Sequence, residues 1–171
     1  LFDSVPVGLY QTTSEGDIVD INQHWLNMMG YSSSEKGSVL AKRAEEFCAE
    51  PSDRDDQIAR ISSSSVPSQD EIRMVRKDGN IIWVRDTSHL VIDPDTGCGF
   101  FEGSLVDITA EKEAARLREE LLSQIQQQAD QMLQIIRTVP EGVVLLNEQG
   151  VVLETNPPAQ EALVQLTGEN K

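Results

Sequence analysis

The N-terminal part of the chain shows the pattern of an antiparallel sheet with helices inserted between its strands. The predicted strands are Gly8–Thr12, Ile18–Ile21, Glu71–Arg76, Ile81–Ile92 and Cys98–Val106. Turn-forming sequences separate neighbouring strands at Ser14–Asp17, Asp78-Gly79 and Asp93–Gly97. Three consecutive strands joined by tight turns, beside an earlier pair, imply one antiparallel sheet.

Helices are predicted between the second and the third strand. Asn22 can cap the first helix, which ends at Gly30. Two further helices are predicted at Ala41–Phe47 and Asp53–Ile61, the second behind the start signal Pro51-Ser52-Asp53. The fold class is therefore α+β, with the helices segregated on one face of the sheet.

A different pattern occupies Ile108–Val139, which contains neither Gly nor Pro and is rich in strong helix formers. At ~1.5 Å per residue, such a helix would be about 45 Å long and would project beyond a small domain. Its apolar positions recur in steps of three and four at Ala114, Leu117, Leu121, Ile125, Ala129, Met132 and Ile136. The step from Leu121 to Ile125 is a second consecutive step of four, a stutter that locally unwinds a supercoil. This seam favours a dimeric coiled coil over a helix packed on its own domain.

The C-terminal part repeats the beginning of the chain at a constant offset of 134 residues. Leu1–Gly8 aligns with Ile135–Gly142, and Asn22 aligns with Asn156. This shared frame predicts an internal repeat whose second copy lacks the strands needed to close a core. The predicted parts are a first domain at 1–108, a helix at 109–138 and the truncated start of a second domain at 139–171.

Composition restricts the classes of function. The 171 residues include 29 acidic and 14 basic side chains, so the formal net charge is −15. This balance argues against nucleic acid or an anionic membrane as the main partner, because both select for basic surfaces. No apolar run approaches the ~18 residues of a membrane helix. Cys48 and Cys98 form no disulfide framework, which suits a reducing compartment and predicts a cytoplasmic location.

Sequence motifs of catalysis are missing. The chain contains no phosphate-binding loop, no nucleophile elbow and no HExxH motif. His24 and His89 have no cysteine or carboxylate at metal-ligand spacing. We therefore predict no catalytic residue, no metal site and no enzymatic activity for this chain.

A set of short motifs runs through the first domain in a fixed order. They are Val5-Pro6-x-Gly8, Gly16…Asn22…Gly30-Tyr31, Pro51-Ser52-Asp53, Arg76-Lys77-Asp78-Gly79…Trp83-Val84 and Gly103-x-x-x-Asp107-Ile108-Thr109. In this order and spacing they resemble the PAS family of sensor domains over residues 1–109, and residues 135–168 resemble the opening of a second PAS domain. The resemblance implies a PAS fold: a five-stranded antiparallel sheet that cups a ligand or cofactor against helices, followed by a signalling helix.

The resemblance also narrows the choice of candidate cofactors. Light-sensing LOV relatives carry a flavin-reactive cysteine six residues before the proline, where this chain has Glu45, whereas Cys48 lies three residues before Pro51. Haem-binding relatives supply a histidine from the following helix, and Asp53–Ser65 contains none. Haem and a LOV-type adduct are therefore disfavoured. A non-covalent flavin, a small organic ligand and an empty pocket remain open.

Large side chains on the elements that would line the cavity are the candidates for a ligand pocket, with ordinary core packing as the alternative. They are Tyr10, Trp25, Met28, Phe47, Met74, Trp83 and Phe101. Strand alternation places Trp83 and Val84 on opposite faces and leaves open which of them is inward. The candidates for signal relay are Asp107, Ile108 and Thr109, because Asp107 and Thr109 can accept hydrogen bonds from free N–H groups at a helix start.

Together these features predict a sensory module for signal transduction. A PAS domain would detect a ligand, a redox state or a partner, and a homodimeric coiled coil would carry the change to covalently linked effector domains. Effectors of the histidine kinase or diguanylate cyclase type suit such an arrangement. The alternative is a PAS module for dimerisation and spacing that binds no ligand.

Overall fold

The computed structural model describes residues 2–50, 61, 67–94 and 97–167. The chain divides into two compact units, Leu1–Ala114 and Ala115–Lys171, and each is described on its own. The predicted helix Asp53–Ile61 and its start signal lie outside the described residues, apart from the buried, helical Ile61. Residues 95 and 96 of the predicted turn at Asp93–Gly97 also lie outside them.

Five antiparallel strands form the sheet of the first unit. They are β1 (Gly8–Thr13), β2 (Ile18–Ile21), β3 (Ser68–Val75), β4 (Ile81–Ile92) and β5 (Gly99–Asp107). Their spatial order is β2-β1-β5-β4-β3, so the last of these strands lies in the middle of the sheet. The predicted five-stranded antiparallel sheet is confirmed. Strand β3 begins earlier than predicted, at Ser68, because its polar first residues pair with β4.

Short helical segments follow β2. Helix α1 spans Gln23–Met29 and has the predicted ends: the Asn22 side chain accepts a hydrogen bond from a backbone N–H of the first turn, and Gly30 follows with a φ of 80°. A left-handed backbone of this kind favours glycine, which explains the residue type at the helix end. A 3₁₀ turn at Ser33–Glu35 leads into helix α2, Lys36–Leu40.

The helix predicted at Ala41–Phe47 is wrong for most of its length. Only a 3₁₀ turn forms, at Ala44–Phe47. Arg43 has an extended backbone and forms an isolated β-bridge with Asp17, in the turn between β1 and β2. A tertiary contact therefore overrides the local helix propensity of this segment.

The core of the first unit lies between these helices and one face of the sheet. Along β4, every second side chain from Ile82 to Ser88 is buried, as expected for a strand with one inward face. Buried residues from both layers form one cluster: Tyr10, Ile18, Ile21, Trp25, Leu26, Met29, Val39, Phe47, Ile72, Met74, Ile82, Val84 and Leu105. The Trp25 and Phe47 rings meet edge to face, 5.1 Å apart, which fastens the 3₁₀ turn to α1.

A long helix follows the sheet, as predicted. Helix α3 spans Thr109–Thr138, and none of its side chains is fully buried. It is followed by the hairpin β6 (Val144–Leu146) and β7 (Val152–Thr155) and by helix α4 (Pro157–Thr167). Within the described part of the chain, no helix combines the length and the apolar character needed to cross a membrane.

One buried asparagine organises the start of the first unit, and another organises the second unit in the same way. The hydrogen-bond partners of the Asn22 side chain are Leu9 N–H, Trp25 N–H, Phe2 C=O and Val7 C=O. The equivalent partners of Asn156 are Val143 N–H, Ala159 N–H, Ile136 C=O and Glu141 C=O. Each partner lies 134 residues after its counterpart, and the β6–β7 register repeats that of β1–β2. The internal repeat therefore extends to individual hydrogen bonds.

Replacing Asn22 with Ala should destabilise the first unit strongly, because four backbone groups lose their side-chain partner. We expect the free energy of unfolding to fall by about 2–4 kcal/mol, from a lost helix cap and unsatisfied buried groups. Trp25 and Trp83 both lie in the first unit, so tryptophan fluorescence during chemical denaturation measures this change.

The matched control is Asn156→Ala, which removes the equivalent bonds from the second unit. It should leave the transition detected by tryptophan fluorescence unchanged. A shift as large as that of Asn22→Ala would contradict the independence of the two asparagine networks.

Candidate functional site

A small cavity lies inside the first unit, between the inward face of the sheet and the helical layer. Its volume is about 40 Å³. The lining residues are Tyr10, Thr12, Ile18, Ile21, Trp25, Ala44, Phe47, Cys48, Ile72, Met74, Asp86 and Leu105. The walls are mostly apolar, with a hydroxyl-bearing and carboxyl-bearing patch on the sheet side.

Strand pairing and one loop contact hold the walls in place. Each of the five strands β1 to β5 contributes inward-facing side chains to the cavity. At the rim, Cys48 forms an isolated bridge with Met74, and the Ala49 N–H donates a 2.9 Å hydrogen bond to the Arg73 carbonyl. These two contacts hold the residues after the 3₁₀ turn against β3.

The polar patch contains a buried pair. The Tyr10 hydroxyl donates to the Asp86 carboxyl group and lies 2.8 and 3.0 Å from its two oxygens. Tyr10 is 8% exposed and Asp86 is 2% exposed. Because a buried carboxyl group is costly without hydrogen bonds, this contact stabilises Asp86 in the core. It also joins β1 to β4 across the intervening strand β5.

Gly103 provides the space for this contact. It pairs with Tyr10 in β1 and with Ser88 in β4. A Cβ atom built on Gly103 would lie 2.5 Å from the Tyr10 hydroxyl oxygen, closer than real Cβ contacts come. The Tyr10 side chain therefore lies over Gly103 on its way to Asp86. Glycine is needed here for clearance rather than for its backbone conformation.

Four of the predicted pocket residues line the cavity: Tyr10, Trp25, Phe47 and Met74. Trp83 does not line this cavity. Its neighbours Ile82 and Val84 are buried on the inward face, so the period of a strand places Trp83 on the outward face.

Met28 and Phe101 also do not line the cavity. Met28 lies beside Gly8, where an added Cβ would be 3.1 Å from the Met28 Cε atom. Phe101 is buried in β5 opposite Thr12 but lies outside the cavity wall. The size of a side chain therefore identified core residues more reliably than it identified the pocket.

Asp86 and Thr12 are lining residues that the sequence analysis missed. Both are polar, and a search for large side chains passes over them. The signal that could have found Asp86 is the strand period, because Ile82, Val84 and Asp86 share one face of β4. A carboxyl group in step with two buried apolar positions indicates a buried polar site.

The size of the cavity restricts what fits in it. A cavity needs a volume of at least about 10–15 Å³ to hold one water molecule. The volume of about 40 Å³ therefore corresponds to about three water molecules. Pockets for larger ligands usually measure about 300–1,000 Å³. This cavity is smaller than that range.

The predicted relay residues form the joint between the sheet and α3. The Ile108 N–H donates to the Trp83 carbonyl at 2.9 Å, and the Thr109 hydroxyl oxygen accepts a 3.0 Å hydrogen bond from the Trp83 N–H. Asp107 accepts a 2.9 Å bond from the Thr109 N–H, as expected for a cap. Thr109 therefore binds the neighbouring strand β4 instead of the helix N–H groups expected for it.

Charged side chains fasten the first turn of α3 to the outward face of the sheet. The Lys112 ammonium group lies 5.1 Å from the centre of the Trp83 ring and forms an ion pair with Glu71. Arg85 contacts both Glu71 and Glu111, at 3.1 and 3.3 Å. Hydrogen bonds from Lys112 and Arg85 hold the pKa of Glu71 below its usual value. These groups are partly exposed, so salt screens their interaction.

No metal centre is present in the described ranges, where no group of three or more His, Cys, Asp or Glu side chains is placed to hold an ion. The chemistry that the site offers is hydrogen bonding and apolar contact inside the sheet. The joint on the outward face is hydrogen-bonded to β4 and continues directly from β5.

Comparison with known proteins gives this arrangement a family context. A family model described as PAS domain matches residues 6–110, more than half of the chain. Sporulation kinase C from Bacillus subtilis (strain 168) is 27% identical over 114 residues, which cover 67% of this chain and 26% of that protein. The chain thus spans about a quarter of the length of this curated relative.

Two solved structures illustrate the fold. A PAS domain from Colwellia psychrerythraea is 25% identical with a TM-score of 0.55, covering 64% of this chain and 92% of that chain. The PAS domain of an HTR-like protein from Haloarcula marismortui is also 25% identical, with a TM-score of 0.52, covering 63% and 86%. With the sheet order, the joint and the family match in agreement, the chain belongs to the PAS domain family and contains a sensory domain that resembles those of sensor kinases.

Proposed function

We propose that the first unit senses a small molecule in its core cavity and passes the change through α3 to an effector outside these residues. The observation that carries this proposal is the course of β5. This strand contributes Leu105 to the cavity wall, ends at Asp107, and leads directly into α3 at Thr109. A sensory rather than catalytic role fits a PAS domain of this kind.

The joint supports a short route from the cavity to the helix. Gly103 lies beneath the Tyr10 ring, and Ile108, a few residues further along, is bonded to the backbone of Trp83 in β4. A small shift of β5 against β4 would therefore change the hydrogen bonds that hold the first turn of α3. Coupling through packed and hydrogen-bonded neighbours of this kind is a common form of signal relay.

The exposed seam of α3 supports a homodimer. Leu117, Leu121, Ile125 and Met132 are each at least half exposed in this single chain. A continuous apolar stripe is usually covered by a partner, and a second copy offers the same stripe in a parallel coiled coil. The stutter at Leu121 gives the helix pair two neighbouring packings, so the output would be a small rotation or register shift.

The second unit supports a tandem arrangement. The Asn156 network and the β6–β7 register repeat those around Asn22, and we propose that residues 139–167 begin a second PAS domain. The sporulation kinase relative favours a kinase effector over a diguanylate cyclase. We also propose a cytoplasmic location, because the two cysteines of the sequence form no disulfide framework of the kind found in small secreted domains.

A second candidate function is a ligand-free module for dimerisation and spacing. The small cavity favours it, because about 40 Å³ is within the range of an ordinary packing defect that holds water. In that case α3 and its seam would act without a signal from the core.

Binding of a fragment in the cavity should shift the Trp25 indole N–H signal in a ¹H–¹⁵N spectrum, because Trp25 lines the cavity. If the cavity is coupled to the joint, the Trp83 indole signal should shift in the same titration, since Trp83 packs against Lys112 of α3. The probe is a set of small alcohols, amines, carboxylic acids and ketones, screened at millimolar concentration.

Trp25→Phe and Trp83→Phe identify the two indole signals. A shift of the Trp25 signal without any shift of the Trp83 signal would contradict the relay. If no fragment shifts either signal, the dimerisation and spacing module is the better description.

Introducing charge into the seam should break the proposed dimer. The double variant Leu121→Asp, Ile125→Asp places two carboxylates where apolar side chains would meet their copies. Light scattering should give twice 18.9 kDa for the native chain and 18.9 kDa for the variant. The control is Ser123→Asp, on the opposite side of the helix, which should remain dimeric. A dimeric double variant would disprove the coiled-coil interface.

A further inference from the structure

A polar subsite lies beneath the Tyr10 side chain on the inward face of the sheet. We call it the phenol subsite, formed by Gly103, Asp86 and Ser88. Gly103 is its floor, because its missing Cβ leaves the space in which the Tyr10 hydroxyl lies. Asp86 and Ser88 occupy consecutive inward positions of β4, and Ser88 pairs directly with Gly103.

Tyr10 uses only part of this subsite. Its hydroxyl lies within hydrogen-bond distance of both carboxyl oxygens of Asp86. Ser88 is fully buried, at 0% exposure, and among the described residues its hydroxyl has no hydrogen-bond partner. Buried polar groups nearly always have a partner, so a buried hydroxyl without one marks a place where a further polar group can bind.

We propose that Tyr10 is a displaceable internal occupant of the phenol subsite. The signal molecule replaces the Tyr10 hydroxyl on Asp86 and bonds to Ser88 as well. This inference rests on the proposed sensor function and specifies the class of ligand. Asp86 accepts hydrogen bonds, so the ligand carries a hydrogen-bond donor, either a hydroxyl or an ammonium group.

The cavity beside the subsite limits the size and the polarity of the rest of the ligand. Its volume corresponds to about three water molecules, so the body of the ligand has only a few non-hydrogen atoms. Ile18, Ile21 and Ile72 line this space, so the body is apolar. A small branched or straight-chain alcohol or amine has this combination.

Displacement of Tyr10 has a direct consequence for the sheet. The bond from Tyr10 to Asp86 joins β1 to β4 over Gly103, and the ligand would release β1 from this link while keeping Asp86 satisfied. The middle strand β5 would then lose the ring that covers Gly103. Because β5 continues into α3, ligand binding in the phenol subsite would change the position of α3 through Gly103.

The test compares isopropanol and isopropylammonium with acetone, which shares their carbon skeleton but has no donor. Affinities are measured from the Trp25 indole signal of the full chain. We expect either donor compound to bind at least fivefold more tightly than acetone. In Tyr10→Phe the competing hydroxyl is gone, so the affinity for the donor compound should rise between about twofold and tenfold, the contribution of one hydrogen bond.

Two variants and one control sharpen the result. Ser88→Ala should weaken binding, and Gly103→Ala should abolish it because the new methyl group fills the subsite. Gly37→Ala, where a Cβ meets nothing within 4 Å, controls for the loss of a glycine. Tyr31→Phe controls for the loss of a phenol hydroxyl, since Tyr31 packs on Phe47 outside the cavity wall and should leave affinity unchanged.

The outcomes separate this inference from the sensor function. Equal binding of acetone and isopropanol, or an unchanged or lower affinity in Tyr10→Phe, would overturn the displacement of Tyr10. Failure of all three compounds to shift Trp25, while other fragments do, would overturn the ligand class and leave the sensor function standing. Donor binding with the expected variant effects but without a shift of Trp83 would support this inference and contradict the relay.

Discussion

Burial of a carboxyl group in the middle of the sheet sets the main constraint on the first unit. Asp86 faces the core and needs hydrogen bonds there. One donor is the Tyr10 hydroxyl, which comes from β1, two strands away in the sheet. The strand between them, β5, can therefore have no side chain where Tyr10 passes over it, and Gly103 meets that requirement. One polar contact thus fixes the residue type on three strands, and it does so at the wall of the cavity.

The central place of β5 connects this constraint to the proposed relay. The strand pairs with β1 on one side and with β4 on the other, and then becomes α3. The joint has two kinds of contact. The bonds of Ile108 and Thr109 to the Trp83 backbone are short and partly buried. The ion pairs around Glu71 are partly exposed, and such pairs contribute little to stability in water. The backbone hydrogen bonds therefore hold the start of α3 in place, and the ion pairs add little to its stability.

The sequence was sufficient for the strands and for the ends of α1, because local rules decide them. Asn22 caps the helix with its side chain, and Gly30 ends it because the missing Cβ permits a left-handed backbone. The segment around Arg43 was not predictable in the same way, because a bridge to Asp17 sets its backbone. In the candidate site, too, some residues could be predicted from the sequence and others could not. Trp25 could be found by size and position, whereas finding Asp86 requires the strand period and the choice of the Ile82 and Val84 face of β4 as the inward one.

The internal repeat separates the residues that build the fold from those that build the site. Asn22 and Asn156 share four equivalent hydrogen bonds, so the requirement they meet belongs to the scaffold. The lining residues do not repeat: the position of Tyr10 is taken by a valine, that of Thr12 by a leucine and that of Trp25 by an alanine. A valine cannot donate a hydrogen bond to a carboxyl group. The Tyr10–Asp86 contact is therefore dispensable for the opening hairpin and its helix, and its presence in the first unit alone is best explained by the chemistry of that unit's cavity.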